Sequence, residues 1–244
     1  MIPKIIHYCW FGGNPLPELE QRCLASWHEH MPYWEYKWWD EETFNISSAP
    51  LYVRQAYEAR KYAFVSDYVR LWALEKFGGL YMDVDFMVYR PFDDLMDKYP
   101  AFAGCEGSKR KPVMQGVIAS EAHGAWVTDM LRTYDTRTFI KEDGRLDMTP
   151  NTSFFSDRLE SQGFIPDGKE KDVLVNGEFF LHVMPVWAFC PVLTTGEDVR
   201  TAETYCEHMG ESSWARKTIK GRLMGVLSPA ILTKLIKFKR SILG

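Results

Sequence analysis

Two aspartates one residue apart, Asp83 and Asp85, are the most concentrated chemical feature of this 244-residue chain, and Asp67 and Arg70 stand on the segment just before them. An Asp-x-Asp at the end of a strand, where the chain turns, offers one carboxylate directly to a hard cation and the other through water or to a bound hydroxyl. Manganese and magnesium ions favour oxygen ligands and keep positions open for diphosphate oxygens. An ion held there acts as a Lewis acid on a leaving diphosphate. Asp67 and Arg70 are three residues apart and so share one face of a helix. That face comes beside the acidic pair if the helix ends at Gly78-Gly79 and the chain folds back as a strand. Asp67 could then accept a ribose hydroxyl while Arg70 offsets phosphate charge. Taken alone, the two read equally well as an intrahelical ion pair, and the tripeptide alone is weak evidence because Asp-x-Asp is common in solvated loops.

The elements that must position these residues follow from the apolar pattern. Residues 3–8 read as a buried first strand that delivers Trp10 to a loop, residues 17–30 as a helix on Leu19, Cys23, Leu24 and Trp27, and residues 33–40 as a second strand. From 52 to 77 the pattern is helical with a break near Ala63, its apolar stripe formed by Val65, Tyr68, Val69, Trp72 and Phe77. Gly78 ends it, because glycine alone takes left-handed dihedrals cheaply. Residues 80–91 read as a strand running into the acidic pair. Further strands are expected at 101–106, 113–119 and 179–184, and a helix at 123–135. Residues 136–178 read as loops around one short helix at 153–161, a place for an acceptor-binding insertion. The pattern predicts one α/β domain with a mixed central sheet, covering residues 1–215, followed by a basic tail, 216–244.

Composition is that of a soluble globular enzyme, with 46% apolar and 25% charged residues. Aromatics are high at 15%, with nine Trp, which suits either a Trp-rich core or a cleft of stacking rings. The five cysteines are widely spaced and form no CxxC, so neither a disulfide framework nor a zinc site is expected. A cytoplasmic protein is expected on that ground and because no signal-like or membrane-spanning run stands out. Of 29 basic residues, eight lie from Ser212 onward with no acidic residue among them; the remaining 21 face 33 acidic residues. The chain thus has an acidic body and a basic tail, and no nucleic-acid partner is expected. Residues 223–240 combine Leu, Ile, Val and Phe with Lys234, Lys237, Lys239 and Arg240, the composition of a helix that lies on an anionic membrane surface or packs on the domain.

The run YAFVSDYVRLWALEKFGGLYMDVDFMV resembles the signature of glycosyltransferase family 32, the DXD sugar transferases that include fungal initiating mannosyltransferases and bacterial polysaccharide enzymes, and is similar to the glucosylating domains of large clostridial toxins. The opening IPKIIHYCWFGGNPLP and the later HMGESSW resemble further segments of that family. The resemblance implies a GT-A-type, Rossmann-like fold and a nucleotide-sugar donor, UDP-linked first and GDP-mannose next. It also implies manganese or magnesium, transfer with retention, and a saccharide or lipid-linked saccharide acceptor. It further implies that Trp10 stacks on the donor base, that Asp67 holds the ribose, that Arg70 lies near the phosphates, and that Asp83 and Asp85 serve sugar and metal. His208 with Ser212 or Ser213 would complete the metal and phosphate site, and Trp214 would close over the diphosphate. Relatives often read His-His where this chain has His208-Met209, and Asn where Gln115 stands.

Three other readings compete. A DxD phosphotransferase would use Asp83 as nucleophile but would leave Asp67 and Arg70 unexplained. A glycoside hydrolase needs carboxylates set farther apart than two residues on one strand. A degenerate sugar-nucleotide-binding module would have little reason to keep both aspartates.

Overall fold

The computed structural model describes residues 1–106 and 113–209. Seven strands form the main sheet: β1 (Ile5–Cys9), β2 (Glu35–Trp39), β3 (Gly79–Met82), β5 (Ala101–Cys105), β6 (Val113–Ser120), β7 (Lys171–Val175) and β8 (Glu178–Met184). Their order is β2-β1-β3-β6-β5-β8-β7. Strands β2, β1, β3, β5 and β8 all run one way; β6 and β7 run against them. The expected mixed sheet is therefore present, and five strand ends open onto one edge. In such sheets ligands bind beyond the carboxyl ends of the parallel strands.

Both faces of the sheet are covered, as period-two alternation in its strands requires. In β5, Ala101, Ala103 and Cys105 face one core and Phe102 the other. The first core is closed by α2 (Leu51–Glu58), α3 (Tyr62–Phe77), α5 (Ala125–Arg132) and α6 (Asn151–Ser161), through Tyr52, Val65, Val69, Trp126 and Phe155. The second is closed by α1 (Glu18–His30), α4 (Asp93–Lys98) and the short α7 (Val186–Phe189), through Trp27, Met96 and Phe189. Trp27, Trp34, Trp39 and Trp126 are buried and Trp38, Trp72 and Trp187 pack partly buried against the two cores, so most of the described tryptophans serve the core.

The helical stretch breaks at Arg60, which takes a left-handed φ of 55°, slightly before the expected Ala63. Gly78 caps α3 with φ 64°, its N–H bonded to the Leu74 carbonyl at 2.8 Å. At Gly79 a Cβ would sit 2.6 Å from the Ile5 carbonyl oxygen, so only glycine lets β3 pair this closely with β1. The buried His7 locks the same junction. Trp39 Nε1 donates to its Nδ1 at 3.2 Å, leaving Nε2 to donate to the Gly78 carbonyl at 2.8 Å.

Two expectations need correction. Residues 80–91 are not one strand: β3 ends at Met82, the chain turns through 83–85, and β4 (Phe86–Val88) joins a separate two-stranded sheet with β9 (Cys206–His208). The split has clear causes. The Asp83 N–H extends the β3–β6 pairing to the Gly116 carbonyl at 2.8 Å, then the Phe86 N–H bonds back to the Asp83 carbonyl at 3.2 Å. Beyond the turn α1 holds β4, with Trp27 Nε1 donating to the Phe86 carbonyl at 2.7 Å and the Val88 N–H to Ser26 Oγ at 3.0 Å. The second correction concerns 136–178, which holds the strand β7 as well as α6. The boundary expected at residue 215 and the basic tail lie outside the described residues.

Candidate active site

Trp10 is the first residue after β1. Its N–H extends the β1–β2 ladder to the Trp39 carbonyl at 3.0 Å, and its indole Nε1 donates to the Asn14 carbonyl at 2.6 Å, closing the loop beneath a half-buried ring. Asp67 and Arg70 project from α3 toward the end of β3, as their spacing predicts. Arg70 Nη2 lies 3.0 Å from Asp67 Oδ1 and 3.4 Å from Asp83 Oδ1, with the arginine and Asp67 side chains only 7% and 15% exposed. The guanidinium also donates to the Gln115 carbonyl of β6 and rests over the Tyr81 ring at 4.7 Å. The Tyr81 hydroxyl donates to Asp83 Oδ1 at 2.7 Å. One arginine thus ties the helix, the acidic turn and the neighbouring strand together.

In a straight strand Asp83 and Asp85 would project from one face. The turn separates them. Asp83 faces Arg70 and Tyr81, while Asp85 Oδ2 lies 3.1 Å from His208 Nε2 across the β4–β9 pair. The His208 ring stacks on Phe86 at 4.8 Å, which fixes its plane. Gly116 makes room for the turn, since a Cβ there would stand 2.8 Å from the Phe86 ring and 2.9 Å from Asp83 Oδ2.

Electrostatics follow from burial around one cation. Burial raises the Asp67 carboxyl to about 6, with Arg70 opposing the shift. It raises Asp83 in the same way, again against Arg70. Desolvation alone would depress Arg70, but Asp83, Tyr81 and Asp67 outweigh it and hold the guanidinium charged. His208 shows the same competition: burial disfavours its imidazolium, yet the hydrogen bond and charge of Asp85 prevail and raise its pKa.

Among the described residues no group of three His, Cys, Asp or Glu stands ready to hold a metal. Asp85 and His208 nevertheless fit as a pair, offering a carboxylate oxygen and an imidazole nitrogen, a donor set compatible with manganese. Ser212, Ser213 and Trp214, expected to complete this corner, lie outside the described residues. Two neighbours of the site, Tyr81 and Glu106, are not picked out by the sequence motifs, whereas Gln115 is marked there by the resemblance, which often has Asn in its place. Gln115 Oε1 is buried without a hydrogen-bond partner beside the carbonyl that binds Arg70. Glu106, the residue after β5, feels the charges of His208 and Asp83 and stands close to the Thr152 side chain. The signal for Glu106 was its position just past a strand, visible only once that strand's direction is known.

An acidic turn on the carboxyl edge of a mixed sheet, gripped by a helix-borne Asp and Arg, agrees with the GT-A-type fold and DXD site expected from the resemblance. Residues 17–102 match the family described as "Glycosyltransferase sugar-binding region containing DXD motif", which bears out the resemblance to family 32. The chain is similar to glucan organizing enzyme 1 of Cryptococcus neoformans var. grubii, with 26% identity over 168 residues, covering 56% of this chain and 45% of that protein. It is similar also to inositol phosphoceramide mannosyltransferase 3 of Schizosaccharomyces pombe, with 35% identity over 105 residues, covering 41% of this chain and 29% of that protein. The match thus spans less than half the length of either curated relative. Among solved structures, a glycosyltransferase involved in glycosylation of the major capsid of PBCV-1 superposes with a TM-score of 0.46 at 15% identity, over 88% of this chain and 97% of that one.

Proposed function

We propose that the protein transfers a sugar from a nucleotide-sugar donor to a saccharide acceptor, with UDP as the preferred nucleotide and GDP-mannose as the next candidate donor. One observation carries this reading: Arg70 binds Asp67 and Asp83 on the sheet's carboxyl edge while Asp85 turns the other way to His208. The arrangement separates the duties of the two DXD carboxylates. Trp10, half-buried at the β1 end, stacks on the nucleobase. Asp67 accepts ribose hydroxyls, and Asp83, oriented by Tyr81 and Arg70, faces the sugar and its diphosphate link. Arg70 keeps this carboxylate-rich pocket tolerable for a diphosphate by supplying a permanent positive charge. Asp85 and His208 would hold a manganese or magnesium ion, and the resemblance assigns Asp83 and Ser212 or Ser213 to the same task. When bound, that ion supplies Lewis-acid stabilisation to the leaving diphosphate. Retention at the anomeric carbon belongs to the same reading. A DxD phosphotransferase fits less well, because Asp83 is engaged by Tyr81 and Arg70 instead of being free to attack phosphorus.

The test is calorimetric titration of the full chain with UDP, and separately GDP, in manganese and in chelator. Tight binding in manganese should fall by at least tenfold in chelator and in Asp85→Ala, and Trp10→Ala should cost about 1–3 kcal/mol, the range for base stacking on an aromatic ring. Equal nucleotide affinity with and without metal, in the parent and in Asp85→Ala alike, would overturn the assignment.

A further inference from the structure

Five parallel strands deliver their following residues to one edge: Asp40 after β2, Trp10 after β1, Asp83 after β3, Glu106 after β5 and Pro185 after β8. Two have local duties. Asp40 accepts the N–H groups of Glu42 and Thr43 at 2.9 and 3.0 Å, and Pro185 opens α7. Trp10 and Asp83 belong to the site already described. Glu106 is the remaining one, and its surroundings are those of the site: the charges of His208 and Asp83 act on its carboxyl, and the Thr152 side chain in the first turn of α6 stands close to it. The neighbouring Asn151 donates from Nδ2 to the Asp67 carbonyl at 3.2 Å, so one helix start touches both Glu106 and the helix that carries Asp67.

Sheet order gives Glu106 a direction. From β2 the edge runs Trp10 on β1, Asp83 on β3, then β6, then Glu106 on β5. Two strand spacings, about 10 Å, separate β3 from β5. With the base at Trp10 and the ribose at Asp67, the donor's sugar extends past Asp83 toward β5, and a ring with its hydroxyls fills the interval between the two carboxylates. A carboxylate is an acceptor with two oxygens, suited to adjacent hydroxyls of one ring. The Thr152 hydroxyl stands where it can orient that carboxylate.

We infer that Glu106 is a specificity-determining residue, whose carboxylate accepts hydrogen bonds from hydroxyls of the transferred sugar and so selects among donors carrying the same nucleotide. The inference rests on the nucleotide-sugar reading above. A site built to bond a hydroxyl discriminates strongly against an analogue that lacks it, because a partly buried acceptor is then left unpaired.

The experiment uses the full chain in manganese and compares UDP with UDP-glucose and UDP-galactose, and GDP with GDP-mannose, by calorimetry. In the parent protein the preferred sugar nucleotide binds more tightly than its bare nucleotide. Glu106→Gln, which keeps the side chain's size, should bind the bare nucleotide within twofold of the parent while the extra affinity conferred by the sugar falls at least tenfold. Thr152→Val should lose a smaller part, about threefold. A purely structural role would weaken bare and sugar-bearing nucleotides alike; that result, or an unchanged preference in Glu106→Gln, overturns the inference while leaving the nucleotide site intact. If the parent binds neither UDP nor GDP in manganese, the nucleotide-sugar reading fails and the inference fails with it.

Discussion

At the scale of single residues, Arg70 decides how the acidic centre behaves. It is nearly buried, and its charge lets Asp67 and Asp83 ionise in a place where burial alone would keep them protonated. Asp67, raised from 3.8 to about 6, therefore carries a pH dependence of its own. Its ionised form is the better acceptor for ribose hydroxyls, so nucleoside affinity should rise as pH rises through about 6. Uridine without metal reads this group most directly, because it brings neither phosphate nor transferred sugar to Asp83 and His208. Binding measured from pH 5 to 7.5 should weaken about tenfold per unit below that value, one unit being ~1.4 kcal/mol; a flat profile would show that Asp67 does not meet the ribose. Asp67, Arg70, Asp83, Asp85 and His208 were all legible beforehand, the first four from local spacing or its combination with family resemblance. Glu106 was not, because its place comes from strands whose order and direction local sequence does not encode, and Gln115 was marked only through the resemblance.

At the scale of elements, the segment after α5 is fastened through Arg137. Its guanidinium lies 4.5, 5.0 and 4.7 Å from the rings of Tyr52, Tyr134 and Phe154, and its Nη2 pairs with Asp147 at 3.0 Å, both side chains less than a fifth exposed. Gln55 Oε1 on α2 accepts the N–H groups of Phe139 and Ile140 at 2.9 and 3.1 Å. Arg137→Ala leaves Asp147 without its cation and three rings without their neighbour, a loss of about 3–5 kcal/mol for a broken buried pair. The expected outcome is a lower urea midpoint and faster protease cleavage within residues 136–150; an unchanged midpoint would show the segment to be held by other contacts. The long helices were legible because each carries several turns of apolar periodicity. β9 was not: it spans only Cys206–His208, too few residues for alternation to register, and its partner β4 lies more than a hundred residues earlier. The single strand expected over 80–91 failed for a related reason, since both halves are apolar and only contacts with α1 and β6 reveal the turn between them.

At the scale of the whole molecule, sheet order converts local motifs into a binding edge. β6, entering in reverse between β3 and β5, presents the Gln115 carbonyl to Arg70 and the open space at Gly116 to the acidic turn. The basic tail remains a proposal, as residues 216–244 lie outside the described part. No helix among the described residues is long and apolar enough to cross a membrane. Attraction of basic residues to anionic lipid contributes roughly 1 kcal/mol each near the surface. The full chain should therefore co-sediment with phosphatidylserine-containing vesicles at low salt, and a version ending at Gly221 should not. Identical behaviour of the two, or indifference to salt and lipid charge, would assign the tail a structural role and leave a soluble acceptor as the better expectation.

The burial of every cysteine has a practical consequence. Cys9, Cys23, Cys105, Cys190 and Cys206 are all enclosed, and desolvation pushes the Cys9 and Cys23 thiols up to about 12. Thiolate is the species that reacts with maleimides and iodoacetamides, so the folded protein should be silent toward such reagents near neutral pH. A cysteine placed at Tyr33, which is 97% exposed, would then be a unique attachment point for a fluorophore, with no need to remove the native thiols first.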